Sequence, residues 1–355
     1  MNFKLNYLKK SESVLDRLRS LKKNFNYDIT IVGSYNTINA GDKILCDAAA
    51  SYFSNKGFKV NIQSKRKITS FKSELVIVCG GDILHDNNQR NLNWLKKLLK
   101  LNAKVVFLGV GVPGFYLTKK LDVFNLLSKI QYIVTRDEKS FNRLNKVNLT
   151  NLFNGVDNAF LIKDLLKKNT LKENDEVILN IKEFKSASIA NEWLKSKGNQ
   201  PVEKSDYLNF ITSLIRYYKS RGISKISALP MTIEDEVFTR KNFKDDVDYI
   251  YNYTSDFHQI SLIISGVREV FTTRYHFHIL SLINKKTIIC YAYADKVENI
   301  NDEIKNFKYI SRRDIEDYQD LNFESLLNYH SEYEIGIQNY MMKLEDELKY
   351  LDELL

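Results

Sequence analysis

Two basic side chains of different chemistry stand close together in the stretch Thr272-Thr273-Arg274-Tyr275-His276. Arg274 carries a fixed positive charge, whereas the imidazole of His276 can gain or lose a proton near neutral pH. An arginine holds carboxylates and phosphates through paired hydrogen bonds, and a histidine beside it can move a proton. The pair therefore suits the binding and reaction of a small anion, although an Arg-x-His pair also occurs at helix starts without chemistry.

The residues around this pair predict a strand, a turn, a helix and a second strand. Val270 and Phe271 end an apolar strand, apolar residues recur at helical spacing over 275–283, and Thr287 begins the next strand. The turn then lies at the carboxyl end of a parallel strand, where open α/β sheets bind ligands. The N–H groups and dipole of the following helix favour an anion there.

Composition limits the class of protein. The chain has 355 residues, of which 44% are hydrophobic and 27% charged, enough for two packed domains. Its net charge of +9 suits an anionic partner, but the basic residues are dispersed and nucleic-acid binding is not supported. Cys46, Cys79 and Cys290 lie in apolar runs and predict reduced core residues of a cytosolic protein. No apolar run reaches the ~18 residues of a membrane span.

Other predicted strands also end in polar or glycine residues. The strand at 28–33 is followed by Asn39, Gly41 and Asp42, where Gly41 permits a tight turn and Asp42 could cap a helix or hold a substrate hydroxyl. Gly80 and Gly81 follow the strand at 75–79 and would let a ligand approach the backbone.

The next two predicted strands end in a glycine-rich segment and in an arginine. The sequence GVGVPG at 109–114 matches the dinucleotide fingerprint, but Pro113 stands where the helix should begin and the strand is about the fourth of its domain. Arg136 follows the strand at 132–135 and supplies a second guanidinium at a strand end. A further strand is predicted at 247–253.

Together these motifs resemble the polysaccharide pyruvyl transferase family. The resemblance is carried by Arg-x-His at 274–276, Tyr-x-x-Lys-Val at 293–297, Asn-x-Gly-Asp at 39–42, Arg-Asp-x-x-Ser at 136–140 and Leu-Pro-Met at 229–231 with Asp235. The chain departs from the family pattern at three positions. Asp82 stands in place of a third glycine, Asn158 in place of a proline, and Lys182 where relatives often have arginine.

The resemblance implies an α/β chain of two Rossmann-like domains that face a cleft, GT-B-like, with parallel sheets flanked by helices. We expect a first domain at 1–165, a second at 176–310, and C-terminal helices at 311–355 that pack back on the first. The charged stretch 165–175 is the expected linker.

The activity implied is transfer of a pyruvyl group from phosphoenolpyruvate to a pair of sugar hydroxyls, which forms a pyruvate ketal in cell-surface polysaccharide or glycan biosynthesis. Phosphoenolpyruvate is the donor substrate, and no cofactor, metal or nucleic acid is expected. The acceptor would be a sugar, a nucleotide-sugar or a lipid-linked saccharide. The expected catalytic residues are His276 and Arg274. The expected substrate-binding residues are Asn39, Gly41, Asp42, Gly80, Gly81, Arg136, Lys182 and Lys296.

Two other functions stay open at this point: a GT-B glycosyltransferase that uses a nucleotide-sugar donor, and a non-catalytic nucleotide- or glycan-binding protein. The basic amphipathic stretch around Leu15, Leu18 and Leu21 is either a terminal helix packed on the fold or a peripheral membrane contact. The expected location is the cytoplasm, at the inner face of the membrane in the second case.

Overall fold

The computed structural model divides the chain into two compact units. Unit 1 is Met1–Lys167 with Gln338–Leu355, and unit 2 is Lys168–Ile337. The structure describes residues 26–35, 37–65, 68, 72–84, 89–112, 121–146, 148–166, 173–184, 202–305, 307–312 and 314–354. The basic N-terminal stretch and most of the expected linker lie outside these ranges.

Unit 1 is built on a six-stranded parallel sheet in the order β2-β1-β3-β4-β5-β6. Its strands are β1 (Asn26–Gly33), β2 (Val60–Ser64), β3 (Lys72–Asp82), β4 (Lys104–Gly111), β5 (Tyr132–Thr135) and β6 (Leu152–Asn154). Its helices before the C-terminal segment are α1 (Ala40–Asn55), α2 (Gln89–Leu98), α3 (Leu121–Leu127), α4 (Glu138–Asn145) and α5 (Ile162–Leu165).

Unit 2 is built on a five-stranded parallel sheet in the order β11-β10-β7-β8-β9. Its strands are β7 (Asn174–Leu179), β8 (Lys225–Ala228), β9 (Tyr249–Ile250), β10 (Val267–Thr272) and β11 (Thr287–Cys290). Its helices are α6 (Lys204–Ser220), α7 (Ile233–Phe243), α8 (Phe257–Ser265), α9 (Tyr275–Ile283) and α10 (Asp295–Ile304). The long helix α11 (His330–Leu354) belongs to both units.

The central strands are apolar over several consecutive residues because both faces of each sheet are covered. Leu75, Val76, Ile77 and Val78 of β3 are at most 1% exposed, and in unit 2 Val177, Ile178 and Leu179 of β7 are 0% exposed. The prediction of an α/β chain with two parallel sheets flanked by helices is confirmed. None of the described helices is long and apolar enough to cross a membrane.

The strand predicted at 247–253 is shorter than expected, since β9 covers only Tyr249–Ile250. Side chains of α7 bind backbone groups at the end of β9 and beyond it. Arg240 donates to the carbonyl of Ile250 at 3.1 Å, and Glu236 accepts the N–H of Tyr253 at 2.8 Å. These bonds replace a strand neighbour, so the chain leaves the sheet there.

The end of α11 packs on unit 1 through a buried carboxyl group. Glu347 accepts the backbone N–H of Val156 at 2.9 Å, and the ring of Tyr350 stacks on Tyr132 at 4.2 Å. A side chain at Gly155 would collide with this carboxyl group, so only glycine fits there. Burial raises the pKa of Glu347 to about 8, and the group is therefore mainly neutral at pH 7.

We expect Glu347→Gln to remove a pH-dependent loss of stability. A carboxyl group whose pKa is raised in the folded state stabilises the fold below its unfolded pKa, and this stability is lost as pH rises toward about 8. Urea denaturation measures the free energy of unfolding at about pH 5 and about pH 8.5. Between these two pH values this free energy should decrease less in the variant than in the wild type, by ~1 kcal/mol or more. Asp346→Asn, at a neighbouring position that is 77% exposed, is the matched control. An equal pH dependence in wild type and Glu347→Gln would contradict this account.

Candidate active site

The turn after β10 has the predicted form. Helix α9 covers Tyr275–Ile283 and β11 begins at Thr287, as the apolar spacing indicated. Arg274 is the N-cap residue, and its carbonyl accepts the first helical bond, from His278 N–H at 2.9 Å. His276 lies inside the first turn of the helix, 7% exposed, and not in the preceding turn.

The start of α9 differs from the starts of α1, α4, α7 and α8. Asn39, Asp137, Thr232 and Asp256 cap α1, α4, α7 and α8 with side-chain oxygens. The N-cap residue of α9, Arg274, is instead a cation, and its side chain makes no cap hydrogen bond. The positive end of the helix dipole and a guanidinium thus occur together, an arrangement that favours an anion.

Hydrogen bonds of the Asn180 side chain connect this turn to the sheet. It follows β7, is 0% exposed, and its side-chain oxygen accepts the N–H groups of Arg274 at 2.9 Å and Thr273 at 3.4 Å. Its side-chain nitrogen donates to the carbonyl of Leu229, after β8, at 2.9 Å. One amide therefore joins the carboxyl ends of three adjacent strands.

The guanidinium of Arg274 is held by Asp235 in a two-point ion pair. Nε lies 2.9 Å from Oδ2 and Nη2 lies 2.6 Å from Oδ1. Asp235 is 0% exposed, and it also accepts the N–H of Glu183 at 2.7 Å. Burial alone would lower the pKa of Arg274, because it disfavours the charged guanidinium. The attraction of the Asp235 carboxylate is larger than this effect, so the pKa of Arg274 is raised. Arg274 therefore stays positively charged in one fixed orientation.

Two lysines of the predicted site lie over tyrosine rings in the same unit. Lys182 Nζ is 4.8 Å from the ring centre of Tyr293, and Lys296 Nζ is 5.6 Å from that of Tyr275. The hydroxyl of Tyr207 donates to the carbonyl of Lys182 at 2.9 Å, which fixes the segment after β7. Cation–π contacts of this kind orient a flexible lysine side chain, which keeps its positive charge.

The two histidines of α9 have different surroundings. His278 is 0% exposed, with Nδ1 3.1 Å from Thr272 Oγ1 and Nε2 2.8 Å from Asn301 Oδ1. Asn301 donates its own N–H to Cys290 Sγ at 3.4 Å, so its oxygen faces the imidazole and the ring proton sits on Nε2. Burial lowers the pKa of His278 to about 4, and this histidine is neutral at pH 7.

In unit 1, the first strand leads into α1 through a polar turn. Asn39 is the N-cap, and its side chain accepts the N–H of Gly41 at 3.0 Å. The cap considered for Asp42 is therefore wrong, because Asn39 already occupies that position. Asp42 accepts a hydrogen bond from Thr37 Oγ1 at 3.0 Å instead.

The glycines of unit 1 lie where backbone and side chains crowd together. A Cβ at Gly80 would lie 2.5 Å from the carbonyl oxygen of Gly109 and 2.7 Å from Oδ1 of Asn158. Asn158 accepts the N–H of Gly80 at 3.2 Å and donates to the carbonyl of Leu45 at 2.8 Å. The space above Gly80, predicted to admit a ligand, is therefore filled by the protein itself. Gly81 has a φ of +82° and is partly exposed.

Arg136 lies at the end of β5 between two carboxylates. Its side chain is 4% exposed, with Nη2 2.5 Å from Asp82 Oδ1 and Nε 3.1 Å from Asp137 Oδ2. Asp137 also accepts the N–H of Ser140 at 2.7 Å as the cap of α4. The residue that replaces the third glycine is thus an ion-pair partner of Arg136.

The predicted site residues fall into two groups, each at the carboxyl edge of one sheet. Those of unit 2 are Lys182, Arg274, His276 and Lys296, and those of unit 1 are Asn39, Gly41, Asp42, Gly80, Gly81 and Arg136. Within the parts of the chain that the structure describes, no cluster of His, Cys, Asp and Glu could hold a metal ion.

Sequence reasoning did not single out Asn180 or Thr232. Asn180 interrupts an apolar strand at its carboxyl end, which is a recognisable signal for a buried polar residue. Thr232 precedes Asp235 by three residues and accepts its N–H at 3.0 Å, the spacing of a helix cap.

The fold resembles several proteins whose structures were solved with UDP or UDP-GlcNAc. The UDP complex of MnaA from S. aureus has 9% identity and a TM-score of 0.56, and covers 92% of this chain and 97% of that one. UDP-GlcNAc 2-epimerase from Methanocaldococcus jannaschii, with UDP-GlcNAc and UDP, has 11% identity and a TM-score of 0.53. The match covers 92% of this chain and 100% of that one. The enzyme from Neisseria meningitidis, with UDP-GlcNAc, has 9% identity and a TM-score of 0.50, with 92% and 100% covered. These likenesses show the GT-B fold.

Sequence comparison is more specific. No curated protein matches the chain significantly. The sequence model of the polysaccharide pyruvyl transferase family matches residues 39–295, a range that contains every predicted site residue except Lys296. The chain therefore belongs to the polysaccharide pyruvyl transferase family, and it is a transferase.

Proposed function

We propose that this protein transfers a pyruvyl group from phosphoenolpyruvate to two hydroxyls of a sugar and forms a pyruvate ketal in cell-surface polysaccharide or glycan biosynthesis. The observation that carries the proposal is the start of α9, where the N-cap residue is an arginine whose guanidinium is fixed by a buried carboxylate and makes no side-chain cap hydrogen bond.

The negative charges of the proposed donor match the positive side chains of the unit 2 site. Phosphoenolpyruvate carries a carboxylate and a phosphate, and both are held well by guanidinium, ammonium and helix N–H groups. Arg274 is 17% exposed, and Lys182 and Lys296 lie over Tyr293 and Tyr275. Because Asp235 fixes Arg274 before any substrate binds, little ordering would be needed on binding.

The reaction needs a proton at one carbon and removes protons from two hydroxyls. One sugar oxygen bonds to the carbon that bears the phosphate while the methylene carbon gains a proton and becomes a methyl group. The second sugar oxygen then displaces inorganic phosphate, which leaves with the remaining proton. We assign the proton transfer to His276, because it follows Arg274 by two residues in the first turn of α9 and an imidazole can act as a general acid or base.

The polar groups of unit 1 are proposed to bind substrate. Asp42, already bonded to Thr37, has the chemistry to accept a sugar hydroxyl, with Asn39 and Gly41 shaping the turn. Gly81 and Arg136 lie at the ends of β3 and β5 and are proposed contacts of the same kind, and Gly80 supports them from within the sheet.

A nucleotide-sugar glycosyltransferase is the second candidate, and the GT-B fold is the observation that favours it. One assay separates the two. The protein is incubated with phosphoenolpyruvate and a panel of sugar, nucleotide-sugar and lipid-linked acceptors, and phosphate release is measured. Release of a nucleoside diphosphate from a nucleotide-sugar, without phosphate from phosphoenolpyruvate, would overturn the proposed function.

The proposed location is the cytoplasm, where phosphoenolpyruvate would be available. The three cysteines are free and buried, which is compatible with a reducing compartment. A lipid-linked acceptor would bring the reaction to the inner face of the membrane.

We expect Arg274→Lys to lower kcat/KM for phosphoenolpyruvate by about 10²-fold or more, because lysine keeps the charge but loses the planar fork that Asp235 holds. Steady-state kinetics and donor titration measure the effect. Arg268→Lys, on the same strand but 50% exposed, is the matched control and should change kcat/KM by less than about twofold. Near-wild-type kinetics in Arg274→Lys would remove Arg274 from donor binding.

We expect His276→Ala to lower turnover by ~10²–10⁴-fold while donor affinity changes by less than about tenfold, the signature of a lost general acid or base. Recovery of turnover at saturating donor would assign His276 to anion binding instead.

His278→Ala is the internal control for His276. On a helix the two side chains point about 200° apart, and both ring nitrogens of His278 contact protein groups, Thr272 and Asn301. Its removal should lower the free energy of unfolding by ~2–4 kcal/mol and leave turnover per folded molecule largely unchanged. Equal losses of turnover in both variants would contradict the assignment.

A further inference from the structure

The peptide group between Lys182 and Glu183, just after β7, is held on both of its sides. Its carbonyl oxygen, on Lys182, accepts a hydrogen bond from the hydroxyl of Tyr207 at 2.9 Å. Its N–H, on Glu183, donates to Oδ1 of Asp235 at 2.7 Å. Because a peptide group is planar, two bonds on opposite sides of it fix its orientation. The backbone from which the Lys182 side chain leaves is therefore fixed as well.

The carboxylate that holds this peptide group also holds Arg274. Oδ1 of Asp235 lies 2.6 Å from Nη2 of Arg274, and Oδ2 lies 2.9 Å from Nε. Tyr207, the peptide group, Asp235 and Arg274 thus form one continuous series of hydrogen bonds inside unit 2. The series connects the backbone of one cationic residue, Lys182, to the guanidinium of another.

The ring of Tyr207 is packed independently of its hydroxyl. Tyr207 lies on α6 and is 3% exposed. Its ring centre lies 5.7 Å from that of Phe184, 6.0 Å from that of Tyr291 and 6.2 Å from that of Phe238. A phenylalanine could make the same ring contacts, but it could not donate to the carbonyl of Lys182. The hydroxyl is therefore the part of this side chain that acts on Lys182.

The position of the Lys182 ammonium depends on the backbone that carries it. A lysine has its charge at the end of a flexible four-carbon stem, so a shift of the backbone also displaces the charge. Nζ of Lys182 lies 4.8 Å from the ring centre of Tyr293 and donates to the carbonyl of Glu183 at 3.2 Å. Both contacts are made from the backbone position that Tyr207 fixes, and both leave the lysine positively charged.

We propose that Tyr207 is a positioning residue of the candidate active site: its hydroxyl, through the carbonyl of Lys182, holds the Lys182 ammonium where it binds an anionic group of phosphoenolpyruvate. Tyr207 itself does not touch the donor. It orders Lys182 before binding, which lowers the entropy cost of holding a flexible side chain against the donor. This inference rests on the proposed role of Lys182 in donor binding, and it involves residues of unit 2 alone.

The test is Tyr207→Phe in the full-length chain, which keeps the ring and removes only the hydroxyl. Calorimetric titration should show binding of phosphoenolpyruvate weakened by about fivefold, or ~1 kcal/mol, the usual net value of one hydrogen bond. In steady-state kinetics KM for the donor should rise by a similar factor. The kcat should change by less than about twofold, because the turn before α9 keeps its own bonds to Asn180.

Lys182→Met separates positioning from a general structural role. Methionine keeps an unbranched stem and the backbone carbonyl that Tyr207 binds, but it has no charge. In the Lys182→Met background, Tyr207→Phe should therefore weaken donor binding by less than about twofold, because no ammonium is left to position. A tyrosine that only stabilised the fold would affect donor binding equally in both backgrounds.

Tyr218→Phe is the matched control. Tyr218 lies on the same helix, is 0% exposed, and its hydroxyl makes no hydrogen bond to any residue that the structure describes. Its replacement removes a buried hydroxyl from α6 and leaves the bond between Tyr207 and Lys182 in place. The affinity for phosphoenolpyruvate should therefore stay within about twofold of the wild type.

Three results would overturn the inference. They are donor binding unchanged by Tyr207→Phe, an equal loss in the wild-type and Lys182→Met backgrounds, and loss of folding in Tyr207→Phe, which would make Tyr207 a structural residue. Failure of the proposed function looks different. In that case phosphoenolpyruvate would bind, with the expected dependence on Tyr207 and Lys182, but no acceptor would release phosphate. Absence of binding to wild type and variants alike would overturn both.

Discussion

The ion pair between Arg274 and Asp235 is the interaction on which the unit 2 site depends. A carboxylate that is 0% exposed cannot be left without a cation, because an isolated buried charge costs several kcal/mol. Asp235 also holds the backbone of Glu183, so α7, the segment after β7 and the start of α9 are ordered together. Loss of either partner would leave a buried charge uncompensated, so the pair favours this arrangement of the three segments.

A buried asparagine beside each sheet joins a strand end to other segments. Asn180 links the ends of β7, β8 and β10, and Asn158 links β3 to α1. An amide carries both donors and an acceptor, so it can satisfy a carbonyl and an N–H from different segments. Such groups are needed where the strand ladder stops and backbone groups would otherwise be buried without partners.

Local sequence patterns predicted part of this site. The bounds of α9 followed from unbroken apolar spacing, and the parallel sheets followed from apolar runs that alternate with helices. The bonds of Asn180 could not be predicted, because they join residues 94 positions apart through a strand order that no local pattern encodes. Asp42 was one candidate for the cap of α1, because Asn39 and Asp42 are both good caps and only the backbone conformation distinguishes them.

Asn158 makes the end of β3 depend on a single side chain. Its oxygen accepts the N–H of Gly80, and its nitrogen donates to the carbonyl of Leu45 in α1. A proline at this position would fix the turn by its ring but could make neither bond. Asn158→Pro would therefore leave the buried N–H of Gly80 without this acceptor, so the two residues are not interchangeable in this chain.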